Sequence, residues 1–258
     1  MMERAAMEEP LISVVVPVYN AEETLAPLAE AIFRHSPGGR ERTEIILVDD
    51  KSTDGSRRVM EGLSQEGIKV RFLPENVGQQ KATFLGLQEA SGRYAVTMDD
   101  DLETPPQLLG ELYRTILEGW DVVYGIPVDG RGRRPSWYRQ AGSRLRDLFF
   151  LWLTGERKLR VSSYRMMTRE TKDRVCRSTH GFIYISAILL EEPVQVTGIP
   201  YERTVTKSTY TFRKLFWVYA NLIKEYGHGR KKGTAAPRTK DSFVGRGQLS
   251  GKHCAKGG

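Results

Sequence analysis

Tyr94-Ala95-Val96-Thr97-Met98-Asp99-Asp100-Asp101-Leu102-Glu103-Thr104-Pro105-Pro106, residues 94–106, joins an apolar run, three adjacent carboxylates and a proline pair. Residues 94–98 have strand length and no polar alternation, as expected of a strand buried on both faces. Proline suits a first helical turn, whose N–H groups have no intrahelical partner, so Pro105-Pro106 predicts a helix running to about residue 118. A buried strand that ends in acids and turns straight into a helix is the repeating unit of an open α/β sheet.

The same alternation extends on both sides. Strands are predicted over 11–18, 44–48, 69–73 and 122–125. Helices are predicted after Asn20, over 56–65 and over 79–90, with Asn20 as N-cap and Glu23 three residues on, as in a capping box. Alternating buried strands and helices predict a mostly parallel, Rossmann-like sheet flanked by helices. Ligands bind such sheets beyond the carboxyl ends of the strands. The polar clusters fall there: Tyr19-Asn20, Asp49-Asp50, Asn76 with Gly78, and Asp99-Asp100-Asp101. From Asp129 the periodicity loosens. Helices are expected near 137–153, 169–177, 181–190 and 212–226, and a strand near 194–199. The resulting division is a flexible N-terminus (1–10), one domain (11–226, with halves 11–126 and 127–226) and a disordered basic tail (227–258).

The chain has 258 residues and a formal net charge of +7. Residues 224–258 hold nine Lys/Arg and two acids, so the remainder is balanced. Residues 131–146 hold six arginines and no acid. Such stretches suit phosphates or anionic headgroups. Nucleic acid is not expected, because no aromatic interleaving or nucleic-acid motif accompanies the charge. The two cysteines, Cys176 and Cys254, have no metal-binding spacing, which suits a reducing, cytoplasmic setting. The N-terminus is acidic where a signal peptide is basic, and no run approaches the roughly 18 apolar residues of a membrane span.

Three adjacent carboxylates repel one another unless a cation is present. Asp99 and Asp101 project to one side of an extended backbone, which suits a hard divalent ion with oxygen ligands. Acids at the second strand end, Asp49 and Asp50, suit ribose hydroxyls or a base N–H, or alternatively cap the next helix. Tyr19 is a candidate for a nucleobase pocket. Gly78 before a helix allows close backbone approach to phosphate, and Lys81 is a candidate for a diphosphate. Dinucleotide oxidoreduction is excluded because VPVYNAEE after the first strand lacks the glycines that chemistry requires.

VPVYN (16–20), VDDKSTDG (48–55), ENVGQQKATFLGLQEASG (75–92) and MDDDLETPP (98–106), in this order, resemble the GT-A domain of family 2 glycosyltransferases. Within that family the chain is similar to polyprenyl-phosphate glycosyltransferases of the dolichyl-phosphate mannose synthase type. Ser162-Ser163-Tyr164-Arg165-Met166-Met167 and the stretch from Arg203 through Lys207-Ser208 to Leu215 carry that narrower likeness. The resemblance covers roughly residues 10–225. It implies an inverting transfer from a nucleotide diphosphate sugar to a polyprenyl phosphate at the cytoplasmic face of a membrane, touched peripherally. It makes 11–126 the nucleotide-sugar half and 127–226 the acceptor half. Pro17, Tyr19, Asn20, Glu22, Asp49, Asp50, Gly78, Lys81, Asp99 and Asp100 would hold the donor. Asp99, Asp101 and Glu103 would bind Mg2+ or Mn2+. Asp101, Arg165 and Arg203 would serve the transfer, and Arg131, Arg133, Arg134, Lys207 and Ser208 the acceptor phosphate. A homo-oligomer or a membrane-protein partner is compatible with this reading.

Three departures stand out. Ser163 replaces the acid of an Asp-Phe-Arg triplet frequent in relatives, Glu103 replaces a frequent Gln, and Thr206 replaces a frequent Gly. Two other classes compete: a transferase acting on a glycan or protein hydroxyl, which needs a general base, and a non-catalytic nucleotide-sugar-binding homologue.

Overall fold

The computed structural model describes residues 9–128, 160–191, 193–202, 221–222 and 224–226. Its strands are β1 (Ile12–Val18), β2 (Thr43–Asp49), β3 (Lys69–Phe72), β4 (Tyr94–Thr97), β5 (Val122–Val128), β6 (Arg165–Thr168) and β7 (Val196–Glu202). Its helices are α1 (Leu25–His35), α2 (Ser56–Gln65), α3 (Gln79–Glu89), α4 (Leu109–Ile116), α5 (Arg169–Cys176) and α6 (Ile185–Leu189). The strands form one sheet in the order β3-β2-β1-β4-β6-β5-β7. The pairs β1–β2, β2–β3, β1–β4 and β5–β7 are parallel, and β6 runs antiparallel to both β4 and β5.

The pleat sends alternate residues into two cores. Val14, Val16 and Val18 of β1 join Leu25, Leu28 and Ile32 of α1, Met60 of α2, and Leu109 and Leu112 of α4 on one face. Val15 joins Ala82 and Leu87 of α3, Val175 of α5 and Ile185 of α6 on the other. Burying each aliphatic side chain contributes about 1.5–3 kcal/mol, which accounts for the apolar positions of β1, while buried Ser13 is answered by hydrogen bonds to Glu44 and from Gly92 N–H. α3 approaches the sheet closely at Gly86, where a Cβ would lie 2.4 Å from Val15 Cγ1 and 2.9 Å from Val48 Cγ2.

The strand expected at 194–199 begins at Val196 and runs on to Glu202, and the helix expected over 181–190 shortens to α6. The helix expected from Pro105-Pro106 opens as a 3-10 turn, Pro106–Leu108, before α4 ends at Ile116. β6 was not anticipated: Arg165-Met166-Met167-Thr168 opens on a charge and lacks the β-branched apolar residues that mark the other strands. It exists because β4 and β5 supply partners on both sides. Asn20 does not cap α1. Its φ of 55° turns the chain left-handed, and α1 starts later, at Leu25. The expected helix over 137–153, most of that over 212–226, the tail and residues 1–8 lie outside the described residues. Among those described, no helix is long and apolar enough to cross a membrane.

Candidate active site at the carboxyl edge of the sheet

The loops after β1, β2 and β4 and the entry to α3 meet at one edge. The non-glycine residues with positive φ are Asn20 (55°), Lys51 (63°) and Leu102 (57°). One lies in each of the three loops. A left-handed backbone is costly for such residues and concentrates at functional sites.

The β1 loop is stapled to both neighbours. Tyr19 N–H donates to Asp100 Oδ2 at 2.9 Å, and Thr24 Oγ1 donates to the Asp100 carbonyl at 2.6 Å. Towards β2, Asn20 N–H donates to Ser52 Oγ at 3.0 Å, while Asn20 Oδ1 accepts from Thr53 N–H at 2.8 Å. Glu22 Oε2 accepts from Gly55 N–H at 2.6 Å. Asn20 and Glu22, expected on the donor, thus spend these groups on joining loops. Tyr19 keeps its ring outward, with the residue 52% exposed. Pro17 lies within β1, paired with Val48 of β2.

Asp49 and Asp50 are both 3% exposed. Asp49 Oδ1 accepts from Ser52 N–H at 3.0 Å. Asp50 Oδ1 and Oδ2 accept from Val77 N–H at 2.6 Å and Gly78 N–H at 2.9 Å. Asn76 Nδ2 donates to the Asp50 carbonyl at 3.0 Å. The Asp50 carboxylate therefore occupies the amides at the mouth of α3 that were expected to meet phosphate. Gly78 (φ 85°) supplies the turn that aims them. Lys81, one turn on, is exposed.

At the end of β4 the three aspartates diverge in role. Asp99 Oδ1 accepts from Gln79 Nε2 at 2.5 Å and Oδ2 from Ser163 Oγ at 2.9 Å. Burial pushes the Asp100 carboxyl up to about 6; Tyr19 N–H opposes this, and the Asp101 and Asp99 charges add to it. Asp101 is exposed, and its Oδ1 accepts Glu103 N–H at 3.0 Å. Among the described residues, no three His, Cys, Asp or Glu side chains gather to hold a metal ion. The trio Asp99, Asp101 and Glu103 is thus not assembled: Leu102 reverses the chain, and Glu103 takes up the turn beyond it. The donor set nevertheless suits a hard divalent cation. Oxygen ligands dominate it, and although burial is the main reason that Asp100 resists ionisation, the repulsion that Asp101 and Asp99 add is what a cation relieves.

Arg165, expected to serve the transfer, lies within the fold. It is 1% exposed, and its guanidinium donates to Thr97 Oγ1 at 3.2 Å and Ser186 Oγ at 2.9 Å. A fully buried guanidinium reaches no ligand in this arrangement. Arg131, Arg133, Arg134, Arg203, Lys207 and Ser208 lie outside the described residues. Sequence reasoning missed Thr97, Gln79 and Thr24. Thr97 carried a signal, since strand alternation puts it on the side of Asp99.

Residues 13–191 match the model of the family described as Glycosyl transferase family 2. The chain is 30% identical over 222 residues to the undecaprenyl-phosphate 4-deoxy-4-formamido-L-arabinose transferase of Proteus mirabilis (strain HI4320), covering 82% of this chain and 66% of that protein. It is 32% identical over 186 residues to the protein of that name from Aeromonas hydrophila, covering 69% of this chain and 55% of the relative. The chain thus spans just under two thirds of the first relative's length and about half of the second's. Among solved structures, glucosyl-3-phosphoglycerate synthase from Mycobacterium tuberculosis, in complex with Mn2+, UDP and phosphoglyceric acid, matches with TM-score 0.61 and 19% identity over 84% of this chain and 79% of that one. S. aureus TarS in complex with UDP-GlcNAc matches with TM-score 0.54 and 18% identity over 84% of this chain and 69% of that one. At these identities the structural likeness concerns the fold. The sheet order, the four converging loops and the extent of the match agree on one statement, that this chain belongs to glycosyl transferase family 2.

Proposed function

We propose that this chain moves a sugar from a nucleotide diphosphate sugar to a polyprenyl phosphate at a membrane surface. The observation that carries the reading is the junction of the acidic loop after β4 with the loop after β1, through Asp100–Tyr19 and Thr24–Asp100, and of that loop with the one after β2, through Asn20–Ser52 and Thr53–Asn20. That junction holds an exposed aromatic ring beside crowded carboxylates, the complement of a nucleobase joined to a cation-bound diphosphate. The polyprenyl acceptor is supported by the names of the two relatives, which act on undecaprenyl phosphate.

Asp99 and Asp101, with Glu103 directly or through water, would hold Mg2+ or Mn2+, whose chemistry when bound is to neutralise a leaving diphosphate. Tyr19, Asp49 and Asp50 would line the nucleoside side, with Asp50 acting through the α3 entry. A phosphate monoester has a second pKa near 6, so it is already largely anionic and needs no strong general base. It needs cations that offset phosphate–phosphate repulsion, the proposed work of Arg203 and Lys207 with Arg131, Arg133 and Arg134, while the Ser208 hydroxyl would add a hydrogen bond to the phosphate. Arginine forks suit it because they bind phosphate oxygens in pairs. The reading is tested with radiolabelled donor sugar and polyprenyl phosphate in detergent. Label should pass into organic solvent in a Mn2+-dependent way. Label that passes only to water-soluble glycan or protein overturns the acceptor.

A further inference from the structure

Arg165 is a buried cation with no acidic partner among the described residues, and burying such a charge is unfavourable unless hydrogen bonds answer it. Its two acceptors are informative. Ser186 Oγ belongs to α6, under the sheet. Thr97 Oγ1 belongs to the last residue of β4, two positions before Asp99. Thr97 hands the contact on: its hydroxyl donates to the Ser163 carbonyl at 2.5 Å. Ser163 Oγ in turn donates to Asp99 Oδ2 at 2.9 Å. An unbroken line of contacts therefore runs Ser186–Arg165–Thr97–Ser163–Asp99, from the buried layer of helices to the acidic loop.

The topology explains why this line exists. Because β6 is antiparallel, it starts at the edge where the parallel strands finish, with Arg165 opposite Thr97. Ser163, just before β6, is thereby held against the first residue of the acidic loop. The other Asp99 oxygen is held by Gln79 Nε2 at the start of α3. Arg165 also fixes the tilt of the Thr97 hydroxyl, since its Nε–H occupies an acceptor position there and leaves the Thr97 proton for Ser163.

We infer that Arg165, Thr97 and Ser163 are positioning residues that orient the Asp99 carboxylate for a divalent cation, an inference that rests on the metal-dependent reading above. Partners that orient a ligating carboxylate commonly alter metal affinity or activity about 10-fold or more when removed. Thr97→Val keeps the β-branched shape and strand preference but deletes the hydroxyl, and Thr97→Ser restores it. Ser163→Ala cuts the line at its half-buried end, where only one hydroxyl is removed.

The test uses the full chain and Mn2+ alone, followed by the electron paramagnetic resonance signal of free Mn2+, with transfer kinetics and melting temperature measured alongside. Thr97→Val and Ser163→Ala should weaken Mn2+ about 10-fold, Thr97→Ser should stay within about 3-fold of the parent, and the concentration of Mn2+ giving half-maximal transfer should rise in step. Parent-like Mn2+ affinity in both folded deletion variants overturns the inference while leaving metal dependence intact. If the parent itself neither binds Mn2+ nor loses transfer in EDTA, the metal-dependent reading fails and takes the inference with it. Should Thr97→Val not fold, Ser163→Ala alone decides.

Discussion

Replacing Asp50 separates two accounts of the acid after β2. As a nucleoside ligand it would matter for binding and little for folding. The structure instead shows its carboxylate closed over two backbone amides, Val77 N–H at 2.6 Å and Gly78 N–H at 2.9 Å, with the residue 3% exposed. Hydrogen bonds to a charged group contribute about 1.5–3 kcal/mol each. Val77 and Gly78 are only half-buried, so water answers them in part and the lower figure applies. Two such bonds make Asp50→Ala worth about 3 kcal/mol. In a chain of this size that lowers the melting temperature by about 6–12 °C. Asp50→Asn keeps one acceptor but turns an amide N–H2 toward the second donor, so it should recover less than half. The measurement is urea unfolding of the parent and both variants, with equal slopes required. Hydrogen exchange at Val77 and Gly78 should accelerate in Asp50→Ala. A stability loss under about 1 kcal/mol, joined to a large loss of nucleotide-sugar binding, would put the carboxylate on the ligand and refute the clasp.

Asp101 is exposed, so Asp101→Ala should abolish transfer while unfolding within about 1 kcal/mol of the parent; near-normal turnover at saturating Mn2+ counts against its role. Burial alone would raise the Glu44 pKa, but hydrogen bonds from Lys69, Ser13 and Ser91 outweigh it and hold the carboxyl below its ordinary 4.5. A depressed folded-state pKa means stability that is complete above 4.5 and lost as pH falls through the folded value. The stability gap between the parent and Glu44→Gln should accordingly narrow on acidification below about 4.5, and a gap that widens there would reverse the assignment. Gly86→Ala should cost about 1–3 kcal/mol by forcing α3 off Val15 and Val48, and a neutral result in thermal melts would show that the helix shifts freely.

The first half of the fold was legible because β1, β2 and β4 are buried on both faces, leaving largely apolar runs such as Ile12–Val18, rich in β-branched residues and alternating with helical patterns, as a covered parallel sheet requires. The carboxyl-edge site followed from that, since polar strand ends must converge there. What escaped the sequence was tertiary in origin. Arg165-Met166-Met167-Thr168 is a strand because of its neighbours, and nothing local distinguishes it from a turn. Asn20 carries a cap's chemistry, yet its side chain is claimed by Thr53, thirty-three positions away. Arg165 was expected in the transfer because the resemblance implied it, and arginine usually stays wet; only the fold reveals that Thr97 and Ser186 accept its hydrogen bonds in the interior.

The reversed direction of β6 carries a mechanical consequence. Within the sheet it is, among the described residues, the strand that joins the β3-β2-β1-β4 block to the β5-β7 pair. Its partners Tyr94–Thr97 precede it by roughly seventy residues, a separation of the same order as those that β1–β4 and β5–β7 close. Separating the two blocks along the sheet therefore requires breaking a ladder of β6, and the β4–β6 ladder is the one that carries the contact between the acidic tip and its buried anchor.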